Sequence, residues 1–144
     1  MSDSPILVSA CLAGVRCRYD GESNPFEPVL ELMRSGRALP FCPEVFGGLT
    51  IPRPPCELQV GRAFDVEGHD LTEAFRRGAE EGVLLAQMAG CTEAILKSRS
   101  PSCGCGVIYD GSFSGNKVPG DGVFAAMLRE RGFHLRTEED FPSR

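Results

Sequence analysis

Residues 94–106 read AILKSRSPSCGCG, from Ala94 to Gly106. The apolar residues 94–96 predict a short buried strand, which leads into a loop with three serines, two cations and two cysteines. A loop that only reversed the chain direction would not require this concentration of reactive side chains. Because ligands of α/β proteins bind just beyond the carboxyl ends of the strands, the segment predicts an active site in this loop.

The composition limits the possible functions. The chain has 144 residues, and we interpret residues 1–144 as one domain. Its net charge of -5 argues against a nucleic-acid backbone as the main partner, because such binding requires a basic surface. No apolar run is long enough to span a membrane, and residues 1–4 lack the basic start of a signal peptide. We therefore expect a cytoplasmic protein.

Short runs of apolar and β-branched residues predict the strands. They lie at residues 5–10, 38–41, 92–98 and 133–135, with a further short run at 107–109. Pro40 places the second strand at a sheet edge, because proline lacks the N–H group that a central strand needs. Residues 57–67 predict a small hairpin or an excursion of the chain, and residues 110–120 predict a loop.

Helical periodicity predicts three helices between these strands. Their expected N-cap residues are Asn24, Asp70 and Asp121, and they end near Gly36, Gly90 and Gly132. We expect Met33 and Leu85 on inner faces, and we expect Gly78 and Gly82 to let the longest helix approach the sheet. The alternation predicts an α/β fold with a doubly wound, mostly parallel sheet flanked by helices, and a frayed acidic tail from residue 137.

Three of the seven cysteines follow predicted strands. Cys11, Cys42 and Cys103 each lie at, or a few residues beyond, the carboxyl end of a strand. Since parallel strands share one direction, these three thiols are expected to meet at one edge of the sheet.

The other cysteines have less defined expectations. Cys91 precedes its strand and Cys56 lies beside the hairpin, so both are interpreted as structural residues. Cys17 and Cys105 are close enough in sequence to the predicted site to be reserve candidates. An odd number of cysteines fits poorly with a complete set of disulfides, and a reducing cytoplasm would keep them as thiols.

Three thiolates at one point suit a soft metal or an iron-sulfur cluster. Structural zinc sites usually take four ligands, often from C-x-x-C pairs, and the sequence contains no such pair. A cubane cluster held by three cysteines would leave one iron open as a Lewis acid. Buried thiols and a zinc site remain alternatives at this point.

Polar residues near the predicted site also have two interpretations each. Glu44 follows Cys42 closely and would act as a general base, or it would form a salt bridge to Arg53 or Lys97. The loop serines at positions 98, 100 and 102 would cap backbone groups, and one of them would hold or protonate a substrate. Lys97 and Arg99 would balance cluster charge or form exposed ion pairs. His69 and His134 fit neither a ligand nor a base.

Several motifs together resemble the thiouracil desulfidase (TudS) family. They are Ser9-Ala10-Cys11-Leu12-Ala13-Gly14, Cys17-Arg18-Tyr19-Asp20-Gly21, Cys42-Pro43-Glu44, Ile51-Pro52-Arg53, Lys97-Ser98-Arg99-Ser100-Pro101-Ser102-Cys103-Gly104 and Ile108-Tyr109-Asp110-Gly111. They cover nearly the whole chain in the family's order, and the serine-proline-serine-cysteine-glycine element is specific.

The resemblance implies a Rossmann-like fold that carries a 4Fe-4S cluster on Cys11, Cys42 and Cys103. It also implies catalytic roles for Glu44 and Ser100. The implied reaction is non-redox desulfuration of thiolated nucleobases such as 2-thiouracil, with the open iron as a Lewis acid. Three alternatives are an electron-transfer or cluster-carrier protein, a zinc protein, and a sulfurtransferase that uses Cys103 or Cys105.

Overall fold

The computed structural model describes residues 4–142. Its strands are β1 (Ile6–Ser9), β2 (Ala38–Phe41), β3 (Cys56–Gln59), β4 (Arg62–Asp65), β5 (Glu93–Leu96), β6 (Val107–Tyr109), β7 (Lys117–Pro119) and β8 (His134–Thr137). Its helices are α1 (Glu27–Arg34), α2 (Pro43–Phe46), α3 (Thr72–Met88) and α4 (Val123–Glu130). Within the described range, none of these helices has both the length and the apolar character that crossing a membrane requires.

The central sheet of the described chain has four strands, all parallel, in the order β2-β1-β5-β8. Strand β1 has all of its residues buried, as its apolar composition predicts, and β2 lies at an edge, as Pro40 predicts. Crossover connections place helices against both faces. The predicted α/β class with a parallel sheet is confirmed.

Alternating side chains of the sheet enter two separate apolar layers. Leu7 and Leu96 face one layer, which they share with the inner faces of α3 and α4. Val8 and Ile95 face the other layer, which includes Val29 of α1. Because successive strand residues point to opposite faces, four-residue strands are long enough to hold both layers in place.

Two antiparallel hairpins lie outside the central sheet. Strands β3 and β4 pair around a turn at Val60 and Gly61, which confirms the hairpin predicted at residues 57–67. Strands β6 and β7 form the second hairpin. The prediction of a plain loop over residues 110–120 is wrong, because β7 pairs residue by residue with β6.

The predicted start and inner face of α1 need correction. Asn24 does not cap the helix, which begins at Glu27 with Phe26 at the N-cap position. Instead, the Asn24 Oδ1 atom accepts a hydrogen bond from Arg18 at 2.9 Å. The side chain of Met33 is exposed, so it is not part of the inner face.

The other two predicted caps also have different roles. Asp70 binds the N–H and hydroxyl groups of Thr72, but the helix begins at Thr72 itself with a capping position at residue 71. The Asp121 carboxylate accepts a hydrogen bond from the N–H of Gly106, across the loop, and α4 begins two residues later. Leu85 is exposed on α3, where the neighbouring residue 86 is buried instead.

The chain beyond Thr137 is not frayed up to the last described residue. Thr137 and Asp140 form a reciprocal capping pair around a short 3-10 helix. Phe141 then packs edge-on against Phe26 at a ring distance of 5.1 Å. Glu138, between them, reaches back to the loop that follows β5 and accepts hydrogen bonds from Ser98.

The two glycines of α3 allow close packing, although only partly against the sheet. A Cβ atom at Gly78 would lie 1.7 Å from the carbonyl oxygen of Pro43, so this glycine brings α3 directly against α2. A Cβ atom at Gly82 would lie 2.5 Å from the ring of Phe41 in β2 and 2.7 Å from that of Phe124. The close approach of α3 thus fixes the position of α2, the helix that carries Glu44.

We expect Gly78→Ala to destabilise the protein by about 1–3 kcal/mol, because the added methyl group collides with backbone. This loss would exceed the gain of about 1 kcal/mol in helix propensity. Denaturant unfolding measures the change, with Glu81→Ala on the exposed face of the same helix as a control that stays within about 0.5 kcal/mol of the unsubstituted protein. Unchanged or increased stability of Gly78→Ala would contradict the packing described here.

Candidate functional site

A cavity of about 560 Å³ opens beyond the carboxyl ends of β1, β2 and β5. Its wall comes from the segments that follow these strands and from the two hairpins. The cysteines in this wall are Cys11, Cys17, Cys42, Cys56 and Cys103. The structure therefore collects thiols from separate parts of the sequence around one space.

The three cysteines predicted to meet all line this cavity. Cys11 lies in a 3-10 turn directly after β1, Cys42 follows the last residue of β2, and Cys103 lies in the loop after β5. Cys11 and Cys103 are buried, at 8% and 4% exposure. Their placement follows from the parallel register, in which Ser9 lies opposite Phe41 and Val8 lies opposite Ile95.

The protonation of these thiols depends on burial and on their neighbours. Burial raises the pKa of Cys11 and that of Cys103, and repulsion from the other thiolates adds to the effect. A hydrogen bond from Cys17 lowers the pKa of Cys42 to about 7 and raises the pKa of Cys17 itself. Asn24 hydrogen-bonds Cys11, and the backbone of Val45 hydrogen-bonds Cys42 in addition to Cys17. Cys103 has two such neighbours, Ser9 and the Ser102 hydroxyl, whose oxygen lies 3.9 Å from its sulfur.

The spacing of the three sulfur atoms distinguishes between kinds of metal site. Among the described residues, only Asp65, Glu67 and His69 bring three potential ligand atoms within 4.8 Å of one another. The three thiol sulfurs are therefore spread more widely than that. A single zinc ion, at about 2.3 Å from each sulfur, could not span them without moving the ligands closer together. Three cysteine thiols around one cavity are instead the donor chemistry that holds an iron-sulfur cluster.

Glu44 is held at both carboxylate oxygens. Its Oε1 atom accepts hydrogen bonds from Nε of Arg53 at 3.1 Å and forms a salt bridge to Nη2, also at 3.1 Å. Its Oε2 atom accepts a hydrogen bond from the Ser102 hydroxyl at 2.7 Å. The Glu44 side chain is only 12% exposed and lies in the cavity wall. The salt bridge to Arg53 expected as an alternative thus coexists with a position at the site, and Lys97 is not its partner.

Arg53 connects this carboxylate to two other loops. Its Nη2 atom donates a hydrogen bond to the carbonyl oxygen of Cys17 at 2.9 Å, and Nη1 donates to that of Thr50 at 3.1 Å. The side chain is 6% exposed. A guanidinium group with so many fixed partners holds Glu44 in one orientation.

Ser100 and Ser102 form a hydroxyl chain that leads to Glu44. Their Oγ atoms lie 3.1 Å apart, and Ser102 is buried. The Ser100 oxygen also accepts hydrogen bonds from the N–H groups of Ser102, at 3.1 Å, and Cys103, at 3.0 Å. Of the three loop serines, only Ser100 thus caps backbone groups as expected; the hydroxyls of Ser98 and Ser102 donate to the carboxylates of Glu138 and Glu44. All three serines line the cavity.

The nearby cations are paired with carboxylates of the C-terminal turn. Lys97 forms a salt bridge to Glu138 at 3.2 Å, and Arg99 forms one to Glu139 at 2.9 Å. Lys97 also lies near enough to Cys11 to favour its thiolate electrostatically. The exposed ion pair expected for Arg99 is thus observed, while Lys97 contributes positive charge to the cavity.

Of the three remaining cysteines, two lie away from the cavity and one lines it. Cys91 is buried in the apolar layer beside α3, as expected. Cys105 is not in the cavity wall; its sulfur lies 3.0 Å from Arg129, outside the site. Cys56 lies at the cavity, so its interpretation as a purely structural residue misses this position, and burial raises its pKa to about 12.

Sequence reasoning also missed the contribution of the hairpins to the site. Tyr109 and Phe113 line the cavity from the second hairpin. The Glu57 carboxylate accepts hydrogen bonds from the N–H groups of Gly111, at 3.0 Å, and Phe113, at 3.1 Å. This contact ties the two hairpins together, and its only signal in the sequence is the motif Ile108-Tyr109-Asp110-Gly111.

Comparison with known proteins places this arrangement in a family. The chain matches the family model described as 2-thiouracil desulfurase over residues 6–140. Its fold is similar to that of the 4Fe-4S-dependent thiouracil desulfidase TudS, with a TM-score of 0.92 and 45% identity over 96% of this chain and 93% of that chain. It is also 39% identical over 145 residues to the uncharacterized protein YbbK of Bacillus subtilis (strain 168), covering 94% of this chain and 96% of YbbK. The chain belongs to the 2-thiouracil desulfurase family.

Proposed function

We propose that the protein is a 4Fe-4S-dependent desulfidase that converts 2-thiouracil, or a related thiolated nucleobase, to the oxygen analogue and hydrosulfide. The observation that carries this proposal is the convergence of three strand-end thiols, a held carboxylate and two hydroxyls on one cavity. The similar structure of TudS, which is named for this activity, supports it. In the reaction a C–O bond replaces a C–S bond, so no electrons are transferred.

The cluster would be held by Cys11, Cys42 and Cys103. With only three protein thiolates to hold it, the cluster would have one iron without a protein ligand and would supply a Lewis acid for polarising the thiocarbonyl group of the substrate. The neighbours of the three sulfurs would orient the ligands, as outer hydrogen-bond partners commonly do in metal sites.

Glu44 would act as the general base. Its Oε1 atom is bound by Arg53, whereas Oε2 has a single donor and can receive a proton from a water molecule. That water then attacks the carbon that carries the sulfur. Arg53 orients the carboxylate and, through Cys17, connects it to the loop of the first thiol.

Ser100 would contact the substrate. Its hydroxyl lies at the cavity, and two backbone N–H groups stabilise negative charge on its oxygen. This environment favours release of its proton to a substrate atom as the C–S bond breaks. The free state of all seven cysteines further supports a reducing location, and we propose the cytoplasm.

We expect Cys11→Ser, Cys42→Ser and Cys103→Ser each to lose most of the iron and acid-labile sulfide of anaerobically purified protein, because serine replaces a soft thiolate with a weak ligand. Iron and sulfide analysis measures the loss. Cys105→Ser, the same substitution two residues from Cys103 and outside the cavity, serves as the control and retains the iron. Retention of iron by Cys103→Ser, or its loss from Cys105→Ser, would contradict this ligand set.

We expect Glu44→Gln to lower the kcat for thiouracil by about 10²–10⁴-fold, because the amide cannot accept the proton of the attacking water. The ultraviolet-visible spectrum of the cluster stays unchanged. A thiouracil absorbance assay with sulfide detection measures the rate, and Glu31→Gln on the exposed surface of α1 is the control. If the variant instead loses its cluster, the carboxylate has a structural role and the proposal for Glu44 fails.

A further inference from the structure

We propose that Ser102 is a proton relay that connects Glu44 to Ser100, so that the proton taken from water at Glu44 is returned to the substrate at Ser100. This inference rests on the proposed desulfidase function and extends it to a residue with no role so far. Ser102 acts through its two neighbours, and is therefore a positioning residue for the reaction.

The hydrogen bonds give the hydroxyl chain a single direction. Ser102 donates its proton to Oε2 of Glu44, at 2.7 Å, rather than to the weaker acceptor Cys103, whose sulfur lies 3.9 Å away. A hydroxyl group has one proton, so the contact between Ser100 and Ser102 at 3.1 Å must have Ser100 as the donor. The chain in the resting site thus runs from Ser100 through Ser102 to Glu44.

This direction commits the Ser100 proton before the reaction begins. While Glu44 is ionised, the Ser100 hydroxyl points to Ser102 and is not available to the substrate. After Glu44 has taken a proton from water, its carboxyl group becomes a donor, and Ser102 can accept from it. Protonation of Glu44 therefore reverses the chain and makes Ser100 a donor at the stage when the leaving sulfur requires a proton.

The protons balance in this scheme. Water loses one proton to Oε2 of Glu44 and its oxygen bonds to the substrate carbon. Ser100 gives its proton to the substrate, receives that of Ser102, and Ser102 receives the proton held by Glu44. One proton enters the chain and one leaves it to become part of the hydrosulfide. The second proton of the water leaves the new hydroxyl group for solvent as the C=O bond forms, and no oxidant or reductant is needed.

Three features of the site favour transfer along this chain. Ser102 is only 2% exposed, so bulk water does not compete for its hydroxyl. Arg53 binds the other oxygen of Glu44, which leaves Oε2 as the oxygen that exchanges protons. The N–H groups of Ser102 and Cys103 stabilise the Ser100 oxygen while its proton is leaving.

Ser102→Ala tests the relay in the cluster-loaded enzyme. We expect kcat to fall about 10²-fold with little change in KM, because one proton-transfer step is lost while substrate binding is not. Iron content and thermal unfolding verify that the site is intact. Single-turnover rates are then measured in mixtures of H₂O and D₂O and plotted against the deuterium fraction, which gives a proton inventory. The plot should be curved for the unsubstituted enzyme, in which several protons move together, and linear for Ser102→Ala.

A second variant separates a relay from a residue that merely holds Glu44 in place. If Ser100 and Ser102 act as one unit, the double variant Ser100→Ala/Ser102→Ala is no slower than the slower single variant. Ser102→Thr, which keeps the hydroxyl, should retain a curved inventory. Thr72→Ala removes a hydroxyl that is 1% exposed and lies outside the cavity wall, and it should alter stability without changing the inventory.

A Ser102→Ala enzyme with an unchanged kcat would overturn the relay. So would a slow variant whose inventory remains curved, or a double variant in which the two effects multiply. These outcomes differ from failure of the proposed function itself, in which the unsubstituted, cluster-loaded protein would release no hydrosulfide from thiouracil.

Discussion

The parallel pairing of β1 with β2 on one side and β5 on the other is the constraint on which the site depends. Three strands that run in the same direction end at the same edge, so the segments that follow them must converge there. Cys11, Cys42 and Cys103 each occupy such a segment. Antiparallel pairing of any one of these strands would move its thiol to the opposite edge of the sheet, and the donor set would be lost.

A second level of organisation fixes the carboxylate relative to the thiols. Gly78 allows α3 to press directly on the backbone of α2, and α2 carries Glu44. Arg53 and Ser102 then bind the two carboxylate oxygens from different loops. The chemistry of the site therefore depends on packing between helices as well as on the order of the strands. The buried ion pair of Glu44 and Arg53 also connects α2 to the loop of Cys17.

The sequence predicted what depends on local pattern and on the direction of the strands. The strands, the parallel sheet and the cavity positions of the three thiols could be read in this way. The N-cap predictions for Asn24 and Asp121 were wrong because each side chain binds a partner outside its helix, Arg18 in the first case and the N–H of Gly106 in the second. The part of the cavity wall that the two hairpins form around Cys56 was missed. The hydrogen bond from Gly111 to Glu57 that joins the hairpins connects residues 54 positions apart, and no local pattern encodes such a contact.

The central claim is that three protein thiolates hold a cluster with one iron left open. A crystal structure of anaerobically prepared protein, with anomalous data collected at the iron edge, tests it most directly. The account predicts a four-iron cluster bonded to the sulfur atoms of Cys11, Cys42 and Cys103, with no protein atom on the remaining iron. A single metal ion, or a fourth bond from Cys17 or Cys56, would contradict it.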